Sequence, residues 1–96
     1  MTAYVIAEVD ITDPETYKGY QQAVPASVKK YGGRFLTRGG KVVPKDGGWE
    51  PKRVIVIEFP SLDDAQKWYH SPEYAPLLDI RLKATRSRLI LVEGTY

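Results

Sequence analysis

Two short runs of consecutive apolar residues constrain the fold of this chain more than any other feature. They are VIVI at residues 54–57 and LILV at residues 89–92, and both read as strands. Since successive side chains on a strand point to opposite faces, both faces of these strands require burial. We therefore expect a sheet that helices cover on one face and that another surface covers on the other.

The first half of the chain predicts a strand, a helix and a second strand. AYVIAEVDI at residues 3–11 is the first strand, and TDPE at residues 12–15 is a helix start signal. The helix continues to about residue 31 because apolar residues recur at steps of three and four, and Gly32 and Gly33 end it. Pro25 has no N–H to donate, so we expect the helix to bend or split near Val24. RFLTRG, from residue 34, is the second strand.

The second half begins with a long Gly/Pro-rich connection at residues 39–51 and a strand, RVIVIEF, at residues 53–59. Ser61 and Asp64 match the capping signature of a second helix. Since the residue before a proline avoids the helical region, this helix should break at about residue 70, and a further helix should run from Pro72 to about Ala84. SRLILVEGTY, from residue 87, is the fourth strand.

This order predicts one α+β domain over residues 1–96, with the ferredoxin-like βαββαβ arrangement and a four-stranded antiparallel sheet. The helices of such a domain cover one face of the sheet only. The apolar residues on the other face are most simply buried against the same face of a second chain. We therefore expect a homodimer whose two sheets form a shared, dimeric α+β barrel.

Composition narrows the range of partners. A net charge of +2, from 14 basic and 12 acidic residues, gives no reason to expect nucleic acid or an anionic membrane as a partner. The third strand also lacks the aromatic residues on which RNA-binding domains of this topology stack bases. No secretion signal or membrane-spanning run is recognisable, and the absence of cysteine fits a cytoplasmic location. With a single histidine, we expect no metal and no haem cofactor.

Four strings carry a family resemblance. In order and spacing, RGG, GGWEPKRVIVIEFPS, WYHSPEY and SRLILVEG resemble the bacterial family known as domain of unknown function 1330, within the dimeric α+β barrel superfamily. The resemblance implies this architecture over nearly the whole chain. The superfamily includes cofactor-free monooxygenases, muconolactone isomerase-like enzymes and haem proteins. Their pockets usually lie between the sheet and the helices of each subunit, and the resemblance implies the same location here.

His70 is the first candidate for catalysis, because an imidazole titrates near neutral pH and can act as a general base. It lies where one helix ends and the next begins. The alternative is therefore structural: the imidazole would hydrogen-bond the last carbonyls of the first helix and favour its dipole.

Arg38 is the second candidate, because at the end of the second strand its guanidinium could bind a carboxylate or an enolate. Its alternative role is an ion pair, since Glu8 and Arg53 should lie at the same end of the sheet. Tyr20, Trp68 and Tyr74 are candidate substrate-binding residues, although aromatic residues at helical spacing are more often part of a core. Trp49, in the long loop, should cover a pocket or contact the partner subunit.

Two functions remain compatible with these residues. The first is a small cofactor-free enzyme that catalyses proton transfer, isomerisation or oxygenation of a small anionic or aromatic compound. The alternative is a non-catalytic homodimeric module that binds a small molecule in the same place. Both require the same pocket, so the sequence does not separate them.

Overall fold

Four strands and three helices follow one another in the predicted order. The computed structural model describes residues 1–96. The elements are β1 (Ala3–Ile11), α1 (Pro14–Lys30), β2 (Arg34–Arg38), β3 (Val54–Phe59), α2 (Leu62–Tyr69), α3 (Ala75–Ala84) and β4 (Thr85–Glu93). The strands form one antiparallel sheet in the order β2-β3-β1-β4, which confirms the ferredoxin-like fold. None of the helices is long and apolar enough to cross a bilayer.

Helix α1 passes through Pro25 without interruption, so of the two predicted outcomes, a bend or a split near Val24, the split was wrong. Its buried residues lie on both sides of the proline and include Tyr17, Tyr20, Val24 and Val28. Packing of this one face against the sheet offsets the loss of a single helical hydrogen bond. The loss still has a local effect, because the carbonyl of Gln21, four residues before Pro25, receives no amide N–H from it.

Two later boundaries also differ from the prediction. Helix α3 begins at Ala75 rather than Pro72, since Ser71 to Tyr74 form a turn in which the Tyr74 amide donates to Ser71 Oγ at 3.1 Å. Strand β4 begins directly after α3, at Thr85 rather than residue 87, where Thr85 pairs with Ile11 of β1. The first difference arises from a local capping contact, and the second from pairing with a strand that is distant in sequence.

The core lies between the sheet and the helices. Trp68 is fully buried; its ring centroid lies 5.5 Å from that of Phe59 and 4.2 Å from that of Tyr74. Its Nε1 donates to Ser27 Oγ at 3.1 Å.

At the edge of this layer, Lys30 and Tyr31 donate hydrogen bonds to Glu73, and these two bonds lower the pKa of the Glu73 carboxyl to about 2. The end of α1 is thereby tied to the turn between α2 and α3.

The other face of the sheet, which we call the open face, is not covered by any helix, and only the loop before β3 reaches it, at Glu8 and Val54. Its apolar centre consists of Tyr4, Ile6, Val54, Val56, Ile90 and Val92, with Ile6 directly opposite Val56 on one side and Ile90 on the other. Ile90 is 59% exposed. The ion pairs Glu8–Arg88 and Arg34–Glu58 flank this centre. The two-sided apolar pattern of the sequence therefore corresponds to one buried and one uncovered face.

Candidate functional site

A cavity lies between the sheet and the helices, at the end of the sheet where β1 and β2 end and β3 begins. Fifteen residues line it, of which eleven are hydrophobic. The floor comes from alternate residues of the strands, among them Val5, Ala7 and Ile55, because these side chains point toward the helices. Helix α1 supplies the opposite wall through Tyr17, Tyr20, Gln21 and Val24.

The cavity is narrow. About 430 Å³ of space in and around it is free of protein atoms, including some solvent at its open end, but only about 20 Å³ can hold the centre of a water molecule. This smaller volume admits roughly one water molecule, because a single water needs about 10–15 Å³ of space in which its centre can lie. An organic ligand therefore enters only if side chains at the surface end of the cavity move.

Three arginines line this apolar cavity: Arg38 from β2, Arg53 just before β3, and Arg81 from α3. No Asp or Glu is among the lining residues, and none of the six ion pairs of the chain includes any of the three. Arginine is rarely buried without a partner, because removing its charge from water is unfavourable. The cavity is therefore a concentrated positive site without a protein counter-ion.

Arg38 lies at the exposed end of the cavity, where it spans from β2 to α1. Its Nη2 donates to the carbonyl of Gln21 at 2.5 Å, and its guanidinium lies 4.8 Å from the ring centroid of Phe35. That carbonyl is the one left free by Pro25. The proline of α1 thus supplies the acceptor that holds Arg38 across the mouth of the cavity.

The predicted ion pair of Arg38 with Glu8 was wrong. Glu8 lies on the open face, where Arg88 and Trp49 both donate to its carboxylate, with Trp49 Nε1 at 2.8 Å from Oε2. These hydrogen bonds, that of Arg88 foremost, lower the pKa of Glu8. Arg38 projects to the opposite face of the sheet because it pairs with Ile55, a helix-facing residue. Trp49 is 59% exposed and does not line the cavity.

The other two arginines lie deeper. Arg53 packs against Gly39, whose backbone has φ +82° and where any side chain would collide with the Arg53 guanidinium. Arg81 is only 4% exposed, and its Nη1 donates to Ser87 Oγ at 2.7 Å. Arg81 was not among the residues predicted from the sequence. The available signal was its spacing, since Arg81 follows Leu77 by four residues and precedes Ala84 by three, and both of those are buried.

The tyrosines near the arginines act as hydrogen-bond donors at neutral pH. Burial raises the pKa of Tyr17, although the Arg53 charge opposes the shift. Burial also raises the pKa of Tyr20, whose hydroxyl lies 2.9 Å from that of Tyr74. Of the predicted substrate-binding residues, Tyr20, Trp68 and Arg38 line the cavity, whereas Tyr74 lies behind Tyr20 and does not.

His70 is outside the cavity. It is exposed and caps the C-terminal end of α2. It borders a separate surface depression, together with Gln66, Tyr69, Leu89 and Leu91. The expected imidazole bond to the last carbonyls is also absent, because the Ser71 hydroxyl donates to the Trp68 carbonyl at 2.7 Å instead. The structure therefore does not bring His70 and Arg38 together in one site. The chain also has no cluster of three or more His, Cys, Asp or Glu side chains that could hold a metal ion.

Replacement of His70 by glutamine is expected to change neither ligand binding nor, by more than about 1 kcal/mol, the free energy of unfolding, because the exposed imidazole makes no hydrogen bond. Urea denaturation and calorimetric titration of the variant test this. A ligand whose affinity collapses in His70→Gln, and follows a pKa near that of imidazole, would show instead that His70 belongs to a site.

Comparisons with known proteins support the fold. A family model described as "Domain of unknown function (DUF1330)" matches residues 2–95. Among curated proteins, none matches the chain. A protein of unknown function from Rhodopseudomonas palustris is 17% identical with a TM-score of 0.74, covering 99% of this chain and 83% of that chain.

Two further solved structures are similar at lower identity. A dimeric ferredoxin-like protein of unknown function from Jannaschia sp. CCS1 is 7% identical with a TM-score of 0.74, covering 98% of this chain and 100% of that chain. SnoaB, a cofactor-independent oxygenase from Streptomyces nogalater, is 10% identical with a TM-score of 0.69, covering 99% of this chain and 94% of that chain. At these identities the similarity extends to the fold alone.

Proposed function

Since the chain belongs to the DUF1330 family, whose description states no activity, we propose its function from the cavity: a homodimeric, cofactor-free enzyme acting on a small anionic or aromatic compound in each subunit. The observation that supports this is the combination of an apolar lining with three guanidinium groups and no carboxylate. Apolar pockets with a few convergent polar groups are the usual form of small-molecule sites. Here those groups all favour an anion.

The same positive charge explains what chemistry the site could perform. A nearby positive charge favours the ionised form of an acid, so an enol or a phenol in this cavity has a lowered pKa and releases its O–H proton to water more readily. The resulting enolate or phenolate is electron-rich and reacts with electrophiles, of which dioxygen is one. Stabilisation of such an anion by prepositioned donors is a recognised source of rate enhancement. The neutral hydroxyls of Tyr17 and Tyr20 add donors to the guanidinium groups.

One observation favours the alternative, a non-catalytic module that binds the same class of compound. Neither a carboxylate nor an imidazole lines the cavity, and His70 lies outside it. A reaction that requires a protein general base therefore has no candidate residue among the lining side chains. Measured turnover separates the two functions.

The open face supports the homodimer. Its apolar centre and flanking ion pairs resemble an interface with an apolar core and a charged rim. The Jannaschia protein of the same fold is dimeric. A two-fold axis through the open face would place the Ile90 strands of both copies in one apolar layer and leave both cavities on the outer, helical side.

Substitution of Ala7 by valine is expected to abolish ligand binding at a cost of about 1–3 kcal/mol in the free energy of unfolding, which leaves the protein folded. Ala7 is buried in the cavity floor, so two added methyl groups take up space that a ligand needs. The measurement is a thermal-shift screen of small aromatic and aliphatic acids, enols and phenols. Ala26→Val, at an exposed position of α1, is the matched control.

Every compound that stabilises the wild type is then incubated with the protein while oxygen consumption and exchange of carbon-bound hydrogen in D2O are followed. Consumption or exchange that Ala7→Val lacks supports the enzyme. Binding without turnover supports the non-catalytic module. Compounds that stabilise the wild type and Ala7→Val equally would place the ligand site elsewhere.

A further inference from the structure

Two atoms distinguish the lining of the cavity from the rest of the molecule. Nε of Arg53 and Nε of Arg81 are the two buried side-chain nitrogen or oxygen atoms of the chain that have no hydrogen-bond partner. Nearly every buried polar group of a folded protein is paired, so each exception requires an explanation. Both exceptions here belong to residues that line the same cavity.

Arg81 is the stronger of the two observations, because its side chain is almost entirely removed from water. Ser87 Oγ accepts from Nη1 at 2.7 Å, which fixes the guanidinium, while Nε has no hydrogen-bond partner. A fixed guanidinium with a free N–H presents a charged donor that suits a carboxylate oxygen. A buried charge without a counter-ion lowers stability, and an anion bound at Nε would remove that cost.

Arg38 does not show these features. It is exposed, its Nη2 is bonded to the Gln21 carbonyl, and its guanidinium lies over Phe35. These contacts place it at the mouth of the cavity, where it must move to admit a ligand. Arg38, the residue predicted from the sequence to bind the anion, is therefore not one of the two residues with a free donor, Arg53 and Arg81.

Resting on the proposed function, we infer that Arg81 and Arg53 together bind the anionic group of the ligand, and that this ligand is a compact monocarboxylate with an aromatic or branched apolar body. A single carboxylate has two oxygens, enough to satisfy both free Nε donors. The rest of the ligand contacts only apolar and phenolic side chains, since Val5, Val24, Ile55 and Ile57 form the adjoining walls. A second charged group would have no partner there.

The test uses benzoate, phenylacetate and cyclohexanecarboxylate as probes, each beside its neutral amide, in calorimetric titrations of the full chain. We expect at least one of the acids to bind the wild type more tightly than its amide does. In Arg81→Met, which keeps the length and apolar surface of the side chain, the Kd of that acid should rise at least tenfold while that of its amide changes little. Lys29→Met removes one exposed positive charge and controls for the net charge of the protein.

A second readout separates binding from folding. Without ligand, Arg81→Met should melt at or above the wild-type temperature, because the variant no longer buries an uncompensated charge. A clearly lower melting temperature would show that Arg81 is structural and would overturn the inference. So would a larger loss of acid affinity in Arg38→Ala than in Arg81→Met, since that would place the anion at the mouth.

The remaining outcomes distinguish this inference from the function on which it rests. Equal affinity for acids and amides, unchanged in Arg81→Met, would overturn the carboxylate anchor and leave the cavity as a small-molecule site. Failure of the wild type to bind any of these acids or amides would overturn the inference, while the Ala7→Val screen would still decide whether the cavity binds another compound.

Discussion

Replacement of Ile90 by lysine is expected to dissociate the homodimer. Ile90 is 59% exposed in the single chain and lies opposite Ile6 at the centre of the open face. A two-fold interface there would bury two lysines, one from each copy, without counter-ions. An uncompensated buried charge costs about 3–5 kcal/mol, which corresponds to a rise of roughly 100-fold or more in the dimer dissociation constant.

Light scattering over a range of concentrations measures this effect, with about twice the 10.9 kDa chain mass expected for the wild type. Leu82→Lys is the matched control, because Leu82 is 60% exposed but lies on α3, in the helical layer. Dissociation by Leu82→Lys and not by Ile90→Lys would place the interface on the helical layer. A wild type that stays monomeric and folded at micromolar concentration would contradict the dimer altogether.

Truncation of Trp68 to alanine is expected to remove most of the stability of the fold. The indole is fully buried between Phe59 and Tyr74 and also donates to Ser27. Removal of a buried Trp side chain costs about 3–5 kcal/mol, whereas domains of ordinary stability have only about 5–15 kcal/mol in total. Urea denaturation at one fixed protein concentration measures the change.

The second tryptophan of the chain provides the control. Trp49 is 59% exposed and makes one hydrogen bond, to Glu8, so Trp49→Ala should cost only about 0.5–1.5 kcal/mol. Each variant also leaves the other indole as its fluorescent reporter. Similar losses in the two variants would mean that Trp68 is not the centre of the core.

The order of strands and helices was predictable because its signals are local. Apolar periodicity, a capping residue and a proline act over a few residues. The first helix therefore begins at the TDPE segment, where Asp13 accepts from the Thr16 amide, and the second begins at Ser61, which accepts from the Asp64 amide. The signals failed where a distant contact overrides them. Helix α1 continues through Pro25 because its buried face packs on the sheet on both sides of that residue.

The candidate site was predictable only in part. Arg38, Tyr20 and Trp68 line the cavity, but His70 borders a different surface, although both Trp68 and His70 lie in the same short segment. On a helix, two residues that are two positions apart point in different directions, so proximity in sequence did not imply a shared site. Arg81 was missed because a charged residue on a helix is usually on its solvated face.

The element order, the ferredoxin-like class and the two apolar sheet faces could be predicted from the sequence, since they follow from short-range signals: apolar periodicity, helix caps and runs of consecutive apolar residues on strands. The identity of the uncovered face and the meeting of Arg38, Arg53 and Arg81 in one cavity depend on the packed fold. Whether a donor is paired depends on every neighbour around it. The free Nε of Arg81 is therefore a property of the packed fold, because β4, α3 and the sheet must assemble before Ser87 can hold that guanidinium.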